Sequence, residues 1–420
     1  MAPGALVALW AQERYGLRVS CLAGYATQLA CAVLAWAACA SPALSPDTAF
    51  GLLYFSQALG ALGAPLFLNN VTLLAGAWFP ASERDAAVAA SLLLVSAGGV
   101  FISVYAPWAV REPAELRALF WWQIPAWAAV LLAAALRAAD APPAPPSAAA
   151  AVQRAARDAA PAPPSAAGAA ARDVADALRN PNFMALNLSA ALISGLIYAL
   201  PTVAGQLLEP CGASNATVGD SLAAMCACSG VAVIAYLFLL EAPEPPAGEE
   251  HYKVAPHPYA AHQRVWSTTT TAGLAGALWT ARRGVTRRAA VTSWAALGLL
   301  CGTLGNGALT MEHAAELTFP LPASVSVNIL SLTGSLVSFV QVLVATALLQ
   351  QPASATCAGD GARSPFAAFC LGCCGAGLLL LAALRPDPRR AAAEARVQAA
   401  AEERRARADG ASSQGYGAAL

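Results

Sequence analysis

Eleven apolar stretches recur along the 420-residue chain, at 2–10, 19–40, 50–79, 86–110, 116–136, 183–208, 218–240, 265–281, 289–309, 319–349 and 365–384. No other feature constrains the fold as strongly. A helix of about 20 apolar residues matches the ~30 Å hydrocarbon core of a bilayer, and a backbone surrounded by lipid must satisfy its own hydrogen bonds. The chain is therefore read as an all-α polytopic membrane protein of about eleven spans, the first of them short. Composition agrees: 58% of residues are hydrophobic and 11% charged, against about 25% charged in soluble domains. Much of the apolar total is alanine, so runs of Leu, Ile, Val and Phe carry more weight. These proportions exclude a soluble enzyme. A formal net charge of zero points to no nucleic-acid partner, and the partners implied are the lipid bilayer and a small solute.

An Ala- and Pro-rich segment containing APPAPPS and APAPPS separates the fifth span from the sixth. It reads as a solvated, partly extended tether. The organisation is thus an N-terminal membrane bundle (1–138), a cytosolic linker (139–180), a C-terminal membrane bundle (181–385) and a cytosolic tail (386–420). Loops that stay cytosolic keep an excess of Lys and Arg. Placing Arg14 and Arg18 inside puts seventeen of the 24 basic residues on that side. The segment 265–281 is short and opens on the polar run 267–271, so a span lost there would move RRGVTRR (282–288) inside. The sequon Asn215-Ala216-Thr217 falls in a loop expected outside, which makes Asn215 a glycosylation acceptor.

Nine of the eleven cysteines lie in apolar stretches and behave as small hydrophobes. Cys211 and Cys357 sit in short loops on the expected outer side, where a disulfide is open to them. Cys370, Cys373 and Cys374 have ligand-like spacing but lack histidine partners and read as packing residues. His251, His257 and His262 are irregularly spaced in a Pro-rich region and read as solvated. There is no Gly-rich phosphate loop or nucleophile elbow, so neither an enzyme, a metal centre nor a cofactor is expected. The tail is a mixture of Arg, Ala and Glu, either a plain charged tail or a helix touching anionic lipid.

Two charged turns join spans on the inner side: AQERYGLR (11–18) and WFPASERD (78–85). Glu13, Arg14, Glu83 and Arg84 either latch the inner side shut in one state of a carrier or anchor orientation as solvated charges. Glu312 and Glu316, four apart, share one helical face and repel, which favours uptake of a coupling proton. The plainer reading has both in an outer loop just before a helix, solvated near its positive N-terminus. Polar residues inside spans are costly unless they face protein or water. Gln57, Asn69 and Asn70, then Tyr198, Thr202 and Gln206, then Asn328 and Ser335 are accordingly candidates for a substrate cavity or for hydrogen bonds between helices. Tyr198 stands out, with Thr202 and Gly195 placed on its face by helical spacing.

The run NNVTLLAGAWFPASERDAAVAASLLLVSAGGV (69–100), the turn ERYGLR and MEHAAELTFPLPASVSVNILSLTGS (311–335) resemble the feline-leukaemia-virus-C-receptor-related carriers and their disrupted-in-renal-carcinoma relatives, within the major facilitator superfamily. The residues that carry the resemblance are Trp78, Phe79, Glu83, Arg84 and Gly98–Gly99, then Glu312, Glu316, Thr318, Phe319 and Pro320. It implies two helical bundles of major facilitator type and alternating-access transport of a small organic solute, such as choline or ethanolamine, haem or a pyridoxine-like compound, by uniport or with a coupling proton, in the plasma membrane or a lysosomal or vacuolar membrane. The family's first helix has no counterpart here. Choline-carrying members keep the tyrosine at Tyr198 but have glutamines where this chain has Leu93 and Ser335, which weakens choline as the solute. The rival expectation is a non-transporting receptor or decayed carrier that keeps the fold.

Overall fold

The computed structural model describes residues 2–80, 83–110, 112–144, 166–240, 259–281, 286–350 and 365–385, together with 396. Among them there are helices and turns and no strand. The first, α1 (Ala2–Ala40), is a hairpin: Gly16 leaves the helical region with φ 82° and ψ −173°. Gly4 lies against the Leu62 carbonyl and Thr27 against Gly63, so residues about equally far before and after Gly16 meet one place on the neighbouring helix. The expected turn over 11–18 is therefore tighter than its composition implied, with helix on both sides of one glycine. Only glycine holds that conformation without strain, and a Cβ would also strike the Asp140 carboxylate at 2.5 Å. Asp140 Oδ1 accepts from the Arg18 amide at 2.9 Å, capping the second arm. The Arg18 guanidinium donates to the Ala135 carbonyl at 3.0 Å, beside the end of α7.

The stretch at 50–79 is not one straight rod. It divides into α2 (Pro46–Gly63), α3 (Pro65–Leu68) and α4 (Val71–Trp78), because Pro65 has no amide proton to continue the ladder and the pair Asn69–Asn70 interrupts it again. Then come α5 (Arg84–Ala109), α6 (Leu116–Trp121), α7 (Gln123–Arg137), α8 (Ala166–Arg179), α9 (Pro181–Leu208), α10 (Asn215–Leu240), α11 (Tyr259–Ala281), α12 (Arg287–Cys301), α13 (Thr303–Thr318), α14 (Ala323–Leu349) and α15 (Pro365–Ala383). Among the described residues, eight helical runs are long and apolar enough to cross a membrane, the α1 hairpin counted once. α11 falls outside that set through its threonines and Arg264, and α12 and α13 because the break at Gly302 leaves them 15 and 16 residues long. Yet α11 is a full 23-residue helix packed against α12 and α15. Its polar run is absorbed locally: Thr268 and Thr271 return their hydroxyls to carbonyls one turn back. Arg264 donates to the carbonyls of Leu381 and Leu384 at 3.1 and 2.8 Å, where a cation satisfies the orphan acceptors of a helix C-terminus.

Two groups of helices form. α1 packs with α2, α3, α6 and α7; α9 packs with α13, α14 and α15, and α10 and α11 both pack with α12. They meet along two seams, α5 against α10 and α13, and α1 and α4 against α14. The first seam is tight at three levels, with Gly219 on the Ser103 carbonyl, Gly99 on Cys226 and Gly230 on Leu93.

The linker departs from the expected tether. Past its proline run, 166–179 is α8, because AAGAAARDVADALR is made largely of strong helix formers with no proline. Ala177 is buried in a core with Leu9, Phe183, Leu317 and Val325. Asn180 then caps α9, its Oδ1 accepting from the amides of Asn182 and Phe183. The linker residues 145–165, Lys253, Arg282, Arg283, Cys357, His251, His257 and the tail save 396 lie outside the described residues; His262 is a half-buried residue of α11.

Candidate substrate cavity and inner seam

α9 is the most buried of the candidate spans, and it breaks that burial on one side. Tyr198 is 58% exposed, and Thr202 and Gln206 are exposed after it, while Ile197, Leu200, Val203 and Leu207 between them are buried. At 100° per residue, Tyr198, Thr202 and Gln206 fall within an arc of about 80°. A stripe of phenol, hydroxyl and carboxamide facing hydrocarbon would leave its polar atoms unsatisfied. Tyr198 lies within electrostatic reach of Cys301 on α12. The stripe is therefore a candidate wall for a cavity between helices. Gly195, grouped with this face by spacing, is buried against the Gln341 side chain and the Gly334 carbonyl of α14. It is a contact point between helices.

Opposite Tyr198 the helical ladder is cut. Gly302, with φ 37° and ψ 46°, separates α12 from α13, and a Cβ there would come within 2.6 Å of the Trp266 ring. The carbonyls left at the break are taken by α11: Thr269 Oγ donates to Leu300 at 2.8 Å and Thr270 Oγ to Cys301 at 3.4 Å. The polar run that made α11 look doubtful as a span thus seals a break in its neighbour.

Asn69, Asn70 and Asn328 are not on an accessible wall. With Gln12, which the sequence did not single out, they are no more than 4% exposed and bond to one another. Gln12 Nε2 donates to Asn70 Oδ1 at 2.7 Å, Asn328 Nδ2 to Gln12 Oε1 at 2.6 Å, and Asn69 Nδ2 to Asn328 Oδ1 at 2.8 Å. Asn70 also donates to the Leu66 carbonyl and Asn328 to the Ser324 carbonyl. One turn along, Ser324 Oγ donates to Glu13 Oε1 at 2.5 Å. Three of these bonds cross from the first group of helices to α14. Each is worth about 1 kcal/mol net when the alternative is water, and more when one partner is a carboxylate. The seam is closed by a few kcal/mol and reopens cheaply if water follows, since every amide is rehydrated.

The other gating and coupling candidates separate. Arg14 and Glu83 are exposed, and Arg84 opens α5; Glu13 meets Ser324 across the seam. Glu312 and Glu316 do not lie in an outer loop. They are inside α13, 5% and 8% exposed, with His313 at 3%, at the end of the molecule that also holds the Gly16 turn and α8. His313 stacks on Tyr259 of α11 with ring centres 5.6 Å apart, and Gln263 donates to Thr310 at 2.9 Å. Gln57 is exposed and Ser335 half-buried; neither joins the amide cluster. At the opposite end, Asn215 is an exposed first residue of α10, just beyond Cys211, which is disulfide-bonded. Arg287 pairs with Asp220 at 2.7 Å at the same end.

An all-helical integral membrane protein with two helical groups, a polar stripe on an enclosed span and a hydrogen-bonded seam at one end is the class defined by this geometry. No family model and no curated protein matches the chain. Solved structures do. The major facilitator superfamily transporter FucP in the outward conformation aligns at TM-score 0.56 and 13% identity, over 91% of this chain and 87% of that one. The proton:xylose symporter XylE bound to 6-bromo-6-deoxy-D-glucose aligns at 0.57 and 13%, over 91% and 83%. An auto-inhibited POT family peptide transporter aligns at 0.54 and 16%, over 91% and 85%. The fold is that of major facilitator superfamily transporters.

Proposed function

We propose that the chain is a carrier of a small organic solute, working by alternating access, and that it belongs with the feline-leukaemia-virus-C-receptor-related and disrupted-in-renal-carcinoma carriers that its motifs resemble. The observation that supports this best is the accessible stripe Tyr198–Thr202–Gln206 on an otherwise buried span. Its neutral phenol, hydroxyl and carboxamide suit an uncharged polar solute or a single cation, which the Tyr198 ring holds by its face. Cavity residues are then Tyr198, Thr202 and Gln206, with Gln57 and Ser335 as outlying candidates. Asn69, Asn70 and Asn328 move, with Gln12, Glu13 and Ser324, into the inner gate. Closure there with access at Tyr198 is the state in which a carrier loads from the outer side. Glu312, His313 and Glu316 form a buried titratable group on α13, suited to taking up a proton as the α5–α13 seam moves. The peptide transporter and the proton:xylose symporter of like fold support a small solute, and the latter a coupling proton.

The test is uptake by the purified chain in proteoliposomes, with choline, ethanolamine, haem and pyridoxine offered separately, with and without an inward proton gradient. Saturable uptake of one of them that Tyr198→Ala weakens supports the reading. Binding without translocation of every solute, in vesicles holding folded protein, refutes it.

A further inference from the structure

The polar stripe of α9 does not stop at Gln206. At 100° per residue, Gly205 and Glu209 fall about 20° to either side of Tyr198, and at 1.5 Å per residue Glu209 stands roughly 16 Å further along the axis, at the outer end. Glu209 is exposed and caps the C-terminus of α9. Its carboxylate lies back along the stripe against Gly205, where a Cβ would stand 3.2 Å from Oε1. The corner beyond is fixed: Gly212 turns the chain at φ 92°, its amide donates to the Glu209 carbonyl at 2.9 Å, and Cys211 is disulfide-bonded. An acid in this place meets the negative end of the helix macrodipole, and Glu209 forms no ion pair among the described residues. Local stability does not account for it. Nor do the arginines of α12 cancel its charge. Arg287 shares the face of Cys301, the α12 residue within reach of Tyr198, but is matched by Asp220 at 2.7 Å; Arg288 is turned about 140° from that face. From the first group of helices the same end receives exposed Asp47, Glu112 and Glu115 against Arg117.

We infer that Glu209 is the entry residue of the carrier, a carboxylate at the outer mouth that concentrates cations over anions on the path down to Tyr198. This rests on reading the α9 stripe as a cavity wall. The physical reason is the order of groups along one helical face. The carboxylate and the helix terminus beside it make a negative focus at the mouth, and low-dielectric walls strengthen such a field. Below it the stripe is uncharged: Gln206, Thr202 and Tyr198 offer a carboxamide, a hydroxyl and a phenol ring. A cation drawn to the mouth therefore meets no second acid on the stripe to trap it there. Attraction at Glu209 acts on the rate of arrival more than on the strength of final binding, and dissolved salt screens it.

Charged thiol reagents test this without a known solute. The full chain carrying Thr202→Cys, in lipid nanodiscs, is treated with a cationic (trimethylammonium-ethyl) or an anionic (sulfonato-ethyl) methanethiosulfonate, and modification at 202 is read by peptide mass spectrometry, which separates it from the native cysteines. The cation-to-anion rate ratio, divided by that of mercaptoethanol, should exceed one at low ionic strength. Adding Glu209→Gln should lower it about threefold or more, Glu209→Asp should keep most of it, and high salt should remove the difference between parent and Gln variant. Gln206→Cys, nearer the mouth, should show the larger fall and serves if Thr202→Cys prevents folding. A ratio that Glu209→Gln leaves unchanged overturns the entry role and leaves the cavity standing. A fall that persists at high salt reports a change of shape rather than of potential and overturns it as well. No modification at either position by either reagent overturns the cavity, and the entry role with it.

Discussion

Tyr198 and Asn328 do opposite things with similar chemistry. Tyr198 is accessible on a largely buried helix, and in the proposed carrier its hydroxyl and ring both meet the solute. Tyr198→Phe removes a hydrogen bond of about 1 kcal/mol and is expected to raise the apparent KM about fivefold. Tyr198→Ala also loses the ring contact, and a rise of tenfold or more is expected; uptake kinetics in proteoliposomes decide. Equal kinetics for alanine and tyrosine would make Tyr198 a packing residue. Asn328, by contrast, holds Gln12 and Asn69 across the seam. Asn328→Ala leaves both without their partner and should destabilise the closed gate by ~2–4 kcal/mol, seen as increased labelling of inner-end positions by an impermeant maleimide applied from the inside. An Asn328→Ala protein labelled like the parent would place the seam's strength elsewhere. Both residues are polar groups in apolar runs, and helical spacing alone gives them one description.

Two elements owe their form to single glycines. At Gly302 a positive φ coincides with the Trp266 ring. Gly302→Ala meets backbone strain and overlap together and should cost about 1–3 kcal/mol, lowering the melting temperature of detergent-solubilised protein. Thr269→Val with Thr270→Val should lower it too by uncovering the Leu300 and Cys301 carbonyls; a melting temperature unchanged in both variants would mean that the break is not structurally costly. In α8, burial pushes the Asp173 carboxyl up, the neighbouring Asp176 adds to this, and Arg172 opposes it. A carboxyl whose pKa is raised by its seat favours that seat more when protonated. α8 should therefore sit more firmly as pH falls from neutral through the raised value, and Asp173→Asn should have that firmness at neutral pH already. Exchange protection of 166–179 that is flat with pH in the parent would contradict this.

For the whole molecule, the two ends differ in chemistry. The inner end gathers the Gly16 turn, the amide seam, the acids of α13, α8 and the Arg264 cap, whereas the other carries the Cys211 disulfide and exposed Asn215. Disulfides persist in oxidising compartments, so the α9–α10 end should face outside or a lumen, in agreement with the side chosen from the arginines. When the chain is expressed in eukaryotic cells, Asn215→Gln should abolish an endoglycosidase-sensitive shift on a gel, and a protease site appended after the last residue should be cut only in permeabilised cells. Cutting in intact cells would invert the arrangement.

The apolar spans and the all-helical membrane fold of major facilitator type were legible in the sequence. The spans rest on local chemistry, namely the length of an apolar run, and the type of fold on the motifs that carry the resemblance. The tertiary structure alone decided which polar groups see water and which see each other. Gln12 and Ser324 carry no local mark, and they matter because the fold brings α14 to α1 across more than 300 residues of chain. Glu312 and Glu316 fall between the apolar runs 289–309 and 319–349, which suits a loop as well as a helical face, but the helix continues to Thr318 and buries both. The linker likewise reads as a tether from its prolines; α8 is held because a hydrophobic seat exists beneath the gate, and such a seat is a property of several helices packed together that no single stretch of sequence contains.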